Sequence, residues 1–244
     1  MILNPYLPVA RSCYSMSAKK NTWDLPPCPD PEKYILVKTK EGAYWRRKRG
    51  TVKPARLNGV FAQNVLNSKV ASPAAKRIIQ KLHSFLHELN TGRLTARLAG
   101  LLIKTINQKG YMDFSLLKGF EFQNPPLGNL LYAQVDVVVK DSTITLRFPI
   151  YHGVMAKRND LVKDFYFEAV VLYGDVAADN GLRIDSTISR LYSFADKGKY
   201  TCEMSLDLPE GSWMVILKAI CQEEDMPSAH WRHFGMRVVE VGGN

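Results

Sequence analysis

The chain has 244 residues, of which 46% are hydrophobic and 23% are charged, and a formal net charge of +10. This composition is typical of a globular protein and argues against a wholly disordered chain. No run approaches the ~20 apolar residues that a membrane-spanning helix needs, so we expect no membrane segment.

Four cysteines are spread along the chain, namely Cys13, Cys28, Cys202 and Cys221. They are too sparse for a disulfide scaffold, and none stands in the C-x-x-C spacing of a common zinc site. Cys202 and Cys221 fall in two predicted strands and could be neighbours, but buried free thiols are the preferred interpretation. Because the start also lacks a signal-peptide pattern, we expect a cytoplasmic protein without a metal or other cofactor.

Charge is distributed unevenly along the sequence. Residues 1–125 contain 21 Lys and Arg against 7 Asp and Glu, whereas residues 126–244 contain 12 against 16. A basic half attracts polyanions or acidic protein surfaces, although it does not specify a fold. Since the residue pattern changes near the same point, we predict a Pro-rich arm over 1–33, a basic hairpin and two-helix region over 34–125, and a β-sandwich domain over 126–244.

The first 33 residues are rich in proline, including Pro26, Pro27, Pro29 and Pro31. Proline lacks an N–H donor and restricts φ, so this segment predicts an extended arm. The arm carries several apolar side chains, and it could pack either on a neighbouring molecule or on its own domain.

Two β-prone runs follow, Tyr34 to Thr39 and Ala43 to Arg49, around a short connection that contains Gly42. This pattern predicts a β-hairpin. A two-stranded hairpin is only marginally stable alone in water, so we expect it to dock on a larger body.

Two helices are predicted next. Ser72 is a suitable N-cap and Pro73 is acceptable at the first helical position, so the first helix is predicted to begin there. Its apolar residues fall on one stripe: Ile78, Ile79, Leu82, Phe85, Leu86 and Leu89. A second helix is predicted from about Arg93 to Gln108, with Gly110 as its C-terminal stop, and the short loop predicts an αα-hairpin.

From Leu130 onward the hydrophobic period changes to two, as in Val135, Val137 and Val139. Further runs lie at 144–148, 165–173, 184–192, 200–208, 213–221 and 234–241. About seven strands without helices between them predict an antiparallel β-sandwich. The predicted fold class is therefore α+β, with an extended arm, a β-hairpin and an αα-hairpin before the sandwich.

Cationic residues, some beside aromatic ones, are the candidate anion-binding or partner-binding residues. They are Lys38, Lys40, Tyr44, Trp45, Arg46, Arg47, Lys48, Arg49, Lys53, Arg56, Arg77, Lys81, Arg93, Arg97 and Lys104. Such side chains suit a nucleic acid backbone, because cations bind phosphates and aromatic rings stack on unpaired bases. Strand alternation, however, divides the hairpin cations between two faces, which favours a solvated or protein-contacting surface.

Metal and catalytic patterns are weak. His83 and His87 stand four residues apart on the first predicted helix, but the Glu of an H-E-x-x-H motif is missing and no third ligand is evident. His230 and His233 lie near Glu223 and are equally weak, because a loop of mixed charge explains them more simply. Motifs of P-loop proteins, α/β-hydrolases and dinucleotide-binding enzymes are absent, so we predict that the protein is not an enzyme.

Three segments carry a family resemblance: Thr39 to Gly42 with the basic run after it, Ala71 to Arg77, and the G-F-E-F box within Leu117 to Phe122. With these the chain resembles an uncharacterised group of Bacteroidota proteins that have a basic hairpin, a helical stretch and a β-rich C-terminal half. That group has no assigned activity, so the resemblance implies an order of elements and no function. Phe120 and Phe122 are expected to insert their rings between the helices and the sandwich, while Glu121 points away.

The leading functional hypothesis is a non-enzymatic interaction or assembly protein whose basic half contacts an acidic protein partner or a second copy of itself. The alternative is a nucleic-acid-binding protein that contacts phosphates without base specificity. A third hypothesis, a hydrolase or a carbohydrate-binding sandwich, requires a cleft lined by carboxylates or exposed aromatic rings. The sequence identifies no small-molecule substrate.

Overall fold

A computed structural model describes residues 27–39, 42–48, 59–157, 159–224 and 226–243. The chain divides into two compact units between Leu57 and Asn58, so the hairpin before this point is described by itself. The predicted arm lies outside the described residues as far as residue 26. Just before the hairpin the chain turns, and the backbone N–H groups of Lys33 and Tyr34 both donate to the carbonyl of Asp30.

The predicted β-hairpin is confirmed. Strands β1 (Tyr34–Thr39) and β2 (Gly42–Arg47) pair antiparallel, with Leu36 opposite Trp45. Directly opposed residues of an antiparallel pair share a face, so the register also determines which cations lie together.

Three helices follow: α1 (Gly59–Lys81), α2 (His83–Leu86) and α3 (Leu94–Lys109). The predicted start of the first helix at Ser72 and Pro73 is wrong, because α1 begins 13 residues earlier and Pro73 lies inside it. Proline removes one helical hydrogen bond, a cost of about 3 kcal/mol, but packing can offset it. Here Ala71 and Ala74, on either side of Pro73, are both fully buried.

Hydrogen bonds between helices also hold the part of α1 that precedes Pro73. The Asn67 side chain donates to Asn107 Oδ1 of α3 over 2.6 Å, and Asn107 donates to Asn64 Oδ1 over 3.1 Å. Beyond Pro73, Ile78 and Leu82 are fully buried as the stripe predicted. The first predicted helix therefore corresponds to the second half of α1 followed by the short helix α2, since α1 ends at Lys81 and not near Leu89.

The second predicted helix is confirmed as α3. It ends at Gly110, which has a φ of 80° and whose N–H donates to the Ile106 carbonyl over 2.8 Å. A left-handed residue at this position satisfies a carbonyl that the helix end would leave without a partner, and glycine adopts it without strain.

The rest of the described chain forms strands. They are β3 (Asp136–Lys140), β4 (Thr143–Ile150), β5 (Val162–Gly174), β6 (Leu182–Ile188), β7 (Tyr192–Ser193), β8 (Tyr200–Asp207), β9 (Trp213–Glu223), β10 (Met226–Pro227) and β11 (Phe234–Gly242). All pairings are antiparallel. The α+β class and the seven predicted strands are confirmed, with two short strands added.

Two sheets pack face to face. The larger has six strands, in which β9 and β5 are central, β11 and β10 pair with β9, and β6 and β7 pair with β5. The smaller has the order β3-β4-β8. One buried cluster between the sheets includes Phe148, Phe167 and Leu217, and it contains Cys202 and Cys221, which do not form a disulfide.

The larger sheet is covered on its other face by the helices. A second buried cluster joins Ile78 and Leu98 of the helices to Val170 and Ile216 of the sheet. Alternate residues of β5 and β9 therefore enter different cores, which explains why β9 is an almost continuous apolar run. The architecture from residue 59 onward has three layers: helices, six-stranded sheet and three-stranded sheet.

The G-F-E-F box adds a short edge segment to the larger sheet. The Gly119 N–H donates to Val238 O, and Phe122 N–H donates to Met236 O, over 2.8 and 2.9 Å. As expected, Phe120 and Phe122 lie in the cluster beneath the helices, with their ring centroids 5.2 Å apart. This segment joins the helical layer to β11.

We predicted a domain boundary near residue 125, whereas helices and sheets share one compact unit after Leu57 in the structure. The predicted boundaries at residues 33 and 125 stay predictions. No helix among the described residues is long and apolar enough to cross a membrane.

Candidate functional site

The hairpin carries cations on both faces. Arg47 lies opposite Tyr34 on the face that also holds Trp45, whereas Arg46 lies opposite Ile35 on the face that holds Tyr44. Lys38 and Lys48 are exposed. The hairpin therefore does not collect its cations on one reading surface, as alternation predicted. Lys40, Arg49, Lys53 and Arg56 lie outside the described residues.

The helical layer is strongly basic. Helices α1 and α3 together contain seven Lys and Arg and no Asp or Glu. Since the two helices lack acids of their own, their cations can be neutralised only by other elements, by solvent ions or by a partner.

Two of the predicted binding residues are engaged within the protein. Arg77 pairs with Asp179 over 2.7 Å and donates to the carbonyls of Val176 and Ala177, so it fastens α1 to the loop between β5 and β6. Arg97 donates to the Glu121 carbonyl. Its guanidinium also lies 5.0 Å from the centroid of the Phe120 ring. Both guanidinium groups hold the helices on the sheet.

Five other helix-region cations are exposed and have no ion pair among the described residues. They are Lys69, Lys76, Lys81, Arg93 and Lys104, which we call the cationic helical surface. Lys81, Arg93 and Lys104 were predicted. Lys69 and Lys76 were not, although they lie seven residues apart and so on one side of α1. Extending the predicted helix back through Pro73 would have placed both lysines on one side of it.

The first half of α1 also exposes large apolar side chains. Val60, Phe61, Val65, Leu66 and Val70 are all about half exposed or more, and Val60 reaches 70%. We call these residues the apolar flank of α1. Sequence reasoning missed them, because they do not continue the stripe of Ile78 and Leu82. They surround Lys69 in sequence, so apolar and cationic groups are combined on this part of the helix.

His87, one of the two histidines of the helical region, makes contacts within the protein through both of its ring nitrogens. His87 directs Nδ1 to the Ser84 carbonyl and Nε2 to Glu88 Oε1, both over 2.8 Å. Both of its ring nitrogens are therefore occupied. Among the described residues no group of three or more His, Cys, Asp or Glu could hold a metal ion.

Ser228, His233 and Glu223 form a cluster that resembles a catalytic triad in composition only. Ser228 Oγ donates to Glu223 Oε1 over 2.6 Å and lies 2.6 Å from His233 Nδ1. A triad instead needs serine at one ring nitrogen and the acid at the other. Here both groups meet Nδ1, and Ser228 is buried, so the arrangement holds the turn before β11 and does not activate a nucleophile.

A buried ion cluster lies between the larger sheet and the helices. Lys218 is 2% exposed and pairs with Glu88 over 2.7 Å, and Glu168 is its cross-strand neighbour. Burial raises the pKa of the Glu168 carboxyl, Lys218 opposes this shift and Glu88 adds to it. Lys218 therefore fastens the α2–α3 connection to the centre of the sheet.

One end of the sandwich carries the aromatic rings that a sugar-binding site would need. Tyr192 and Tyr200 line a small cleft with Asp196. The Arg190 guanidinium, however, lies 4.4 Å from the Tyr200 ring centroid, and a Cβ on Gly198 would lie 2.5 Å from Tyr200 Cζ. The Tyr200 ring is therefore already in contact with the Arg190 guanidinium and lies close to Gly198, so a sugar stacking there would compete with these contacts.

No protein-family model matches the chain, and no curated protein matches it. Among solved structures it is similar to Spo0M, a sporulation control protein from Bacillus subtilis, with 10% identity and a TM-score of 0.23. The match covers 44% of this chain and 48% of Spo0M. So low a TM-score carries no information about the function of this chain.

Proposed function

We propose that this protein is a non-enzymatic interaction protein whose basic N-terminal half binds an acidic protein partner. The observation that carries this proposal is the cationic helical surface, whose lysines lie on two helices that contain no acid and whose Arg93 lies just before the second of them. Exposed cations favour association with an acidic surface and accelerate it at low ionic strength.

The apolar flank of α1 favours a protein over a nucleic acid as the partner. A phosphate backbone offers little apolar surface to cover Leu66 and Val70, whereas protein interfaces combine apolar centres with charged rims. The hairpin contributes further cations, although its two-faced distribution suits no single nucleic acid strand. In this proposal the protein acts in the cytoplasm, as its sparse cysteines predict.

The proposal is tested by affinity capture at low salt from the organism that encodes the protein, followed by purification of each captured protein and measurement of its Kd. The full chain is compared with the triple variant Lys69→Glu, Lys76→Glu, Lys104→Glu. We expect an acidic protein that the variant binds at least about tenfold more weakly, because each reversal replaces attraction by repulsion.

The matched control reverses three exposed lysines of the sandwich half, Lys140, Lys163 and Lys197, and should change the Kd less than about twofold. A second variant, Leu66→Ser with Val70→Ser, should also weaken the complex. Retention of nuclease-sensitive material that absorbs at 260 nm would support the nucleic acid alternative. Equal binding by the triple variant and the wild type would refute the proposal.

A further inference from the structure

Strand β3 forms an open edge of the smaller sheet. It pairs with β4 on one side, and no other strand among the described residues pairs with it. An edge strand presents N–H and C=O groups that can form a ladder with a further strand. β3 contains no proline, which would remove one of these donors. Its backbone is therefore suited to accept another strand.

The turn between β3 and β4 determines which backbone groups of β3 point outwards. Lys140 pairs with Thr143 across a two-residue connection, and such a turn closes on a pair that exchanges two hydrogen bonds. Hydrogen-bonded and non-hydrogen-bonded pairs alternate along an antiparallel ladder, so Val138 also bonds to β4. The N–H and C=O groups of Val137 and Val139 therefore point away from β4, and they have no partner among the described residues.

The same edge exposes apolar side chains. Val138 and Val139 are each 45% exposed, although valine favours the packed surface of a sheet. They lie on opposite faces, because Val139 is opposite the buried Ile144 and Val138 is opposite Thr145. A further strand beside β3 would therefore cover apolar surface on both faces of the sheet.

The charges of β3 favour a second copy of this chain as the further strand. Asp136 and Lys140 lie two residues before and two residues after Val138, and all three side chains share a face. If two copies of β3 pair antiparallel with Val138 opposite itself, each Asp136 lies opposite the partner's Lys140. A parallel pair in register would instead place like charges opposite each other, which is destabilising.

Both charged groups are available for this contact. Lys140 has no ion pair among the described residues, and Asp136 accepts a long hydrogen bond of 3.5 Å from Gln134. Within the sheet Asp136 lies opposite Arg147, which pairs with Glu203 on the next strand. The partner's Lys140 would extend this row of alternating charges by one step.

We propose that β3 pairs with β3 of a second copy, antiparallel and about a two-fold axis at Val138, so that two three-stranded sheets join into one. In this register Val137 lies opposite the partner's Val139. These are the residues whose backbone groups point outwards, so both such pairs exchange two hydrogen bonds. Each copy has one β3 edge, so the pairing is closed and gives a dimer.

The first test is sedimentation velocity of the full chain over a range of concentrations. The five residues of β3 from each copy form a contact smaller than a standard protein interface. We therefore expect a reversible monomer–dimer equilibrium with a Kd on the order of 10–100 µM. A chain that stays monomeric up to about 500 µM, well above that range, would overturn the proposal.

Charge reversal tests the register. Asp136→Lys and Lys140→Asp each place like charges at two symmetry-related contacts, so either variant alone should dimerise at least about tenfold more weakly than wild type. An equimolar mixture of the two variants restores opposite charges at both contacts and should dimerise about as strongly as wild type. A variant that had merely unfolded cannot be rescued by mixing.

The matched control for charge reversal is Lys197→Asp, because Lys197 is exposed and lies outside β3. It should dimerise like wild type. Equal dimerisation by wild type and by both β3 variants would place the contact elsewhere, for example on the apolar flank of α1, and would overturn the proposal.

A disulfide tests the two-fold axis. Opposed residues of a non-hydrogen-bonded pair have Cα atoms about 4.5 Å apart, which a disulfide can bridge. Val138→Cys should therefore form a disulfide-linked dimer on mild oxidation. Cys13→Ser and Cys28→Ser are introduced with it, so that the remaining natural thiols are buried.

Val139→Cys in the same background is the matched control for the disulfide. Val139 is as exposed as Val138, but in the proposed register it faces the partner's Val137 and lies too far from its own counterpart for a disulfide. Equal cross-linking of the two cysteine variants would overturn the proposal.

This dimer and the acidic protein partner are separate proposals. The triple lysine variant of the cationic helical surface leaves β3 unchanged and should dimerise like wild type. Partner affinities are measured far below the dimer Kd, where wild type and the control with Lys140 reversed are both monomeric. A chain that stays monomeric while β3 binds a strand of another protein would overturn the dimer and leave the cationic helical surface untouched.

Discussion

At the scale of single residues, the helical layer is held by three polar contacts at separate positions on the larger sheet. Arg77 reaches the β5–β6 loop, Lys218 reaches Glu88, and Arg97 reaches the G-F-E-F segment. Each joins residues that are distant in sequence. Cations that a sequence assigns to ligand binding can therefore be required by the fold instead.

Removing Arg77 should destabilise the protein moderately. Arg77→Ala leaves two loop carbonyls without their donor, and we expect a loss of about 1–2 kcal/mol in the free energy of unfolding. The ion pair itself adds little, because Asp179 is largely exposed. Urea unfolding measures the change. Lys76→Ala, one residue away and exposed, is the control and should stay within about 0.5 kcal/mol of wild type.

Removing Lys218 should cost more. Lys218→Met leaves Glu88 and Glu168 beside each other without their shared cation, and breaking a buried pair typically costs about 3–5 kcal/mol. Arg147→Met breaks an exposed pair and should cost less than about 1 kcal/mol. The double variant Glu88→Gln with Lys218→Met should recover part of the loss. Similar losses for Lys218→Met and Arg147→Met would contradict the role of Lys218.

Glu168 should make stability depend on pH. Its pKa is raised in the folded protein, chiefly by burial, so the folded state binds this proton more tightly than the unfolded state does. The contribution to stability is then full below the unfolded pKa and is lost as pH rises through the folded pKa.

Glu168→Gln removes this contribution. We expect wild-type stability to fall relative to the variant as pH increases from about 4 towards neutrality. Urea unfolding of both proteins at several pH values provides the comparison. Other carboxyls with a raised pKa, such as Glu121, are present in both proteins and therefore do not contribute to the difference in stability. Parallel stability profiles would show that Glu168 titrates alike in the folded and unfolded states.

At the scale of elements, α1 shows how packing overrides a local signal. Ser72 and Pro73 resemble a helix start, yet the helix continues through them because buried alanines and the Asn67–Asn107 hydrogen bond hold both halves. The same continuation exposes the apolar flank of α1. An apparent boundary in the sequence is thus the middle of the longest helix.

Pro73→Ala should stabilise the protein. Alanine restores an N–H that can donate to the Lys69 carbonyl and removes the steric conflict of the proline ring with the preceding turn. The gain is reduced because proline also restricts the unfolded chain, so we expect an increase of about 1–2 kcal/mol in the free energy of unfolding. Thermal and urea unfolding measure it. A less stable variant would mean that a bend at Pro73 is required for packing.

At the scale of the whole molecule, the larger sheet belongs to two cores at once. One face of β5 and β9 packs on the smaller sheet, and the other packs beneath the helices. The helices, which carry part of the basic half of the sequence, therefore share a buried core with the larger sheet.

This architecture predicts that the β-rich half does not fold alone. A fragment of residues 126–244 would expose Val170, Ile216 and other apolar residues that the helices cover. We expect it to aggregate or to lack cooperative unfolding, whereas residues 58–244 should unfold in one transition. Circular dichroism and calorimetry of both fragments distinguish these outcomes. A cooperatively folded, monomeric fragment of residues 126–244 would instead support the predicted boundary near residue 125.

Much of the fold is predictable from local pattern. Alternation of apolar and polar residues located the seven strands. The apolar stripe from Ile78 to Leu89 and the stop at Gly110 located the helical region. The G-F-E-F box located the segment that joins the helical layer to β11. The candidate site was less predictable. Arg77 and Lys81 look alike in sequence, but only Arg77 finds Asp179, which is 102 residues away.

The sequence by itself determined the basic N-terminal half, the α+β order of elements and the division of hairpin cations between two faces. These follow from composition and from periods of 3.6 and two, which are local properties. Only the tertiary structure decided which cations stay exposed, that the central sheet is buried on both faces, and that β3 lies at a sheet edge. Those outcomes depend on contacts between distant segments, which no local pattern encodes.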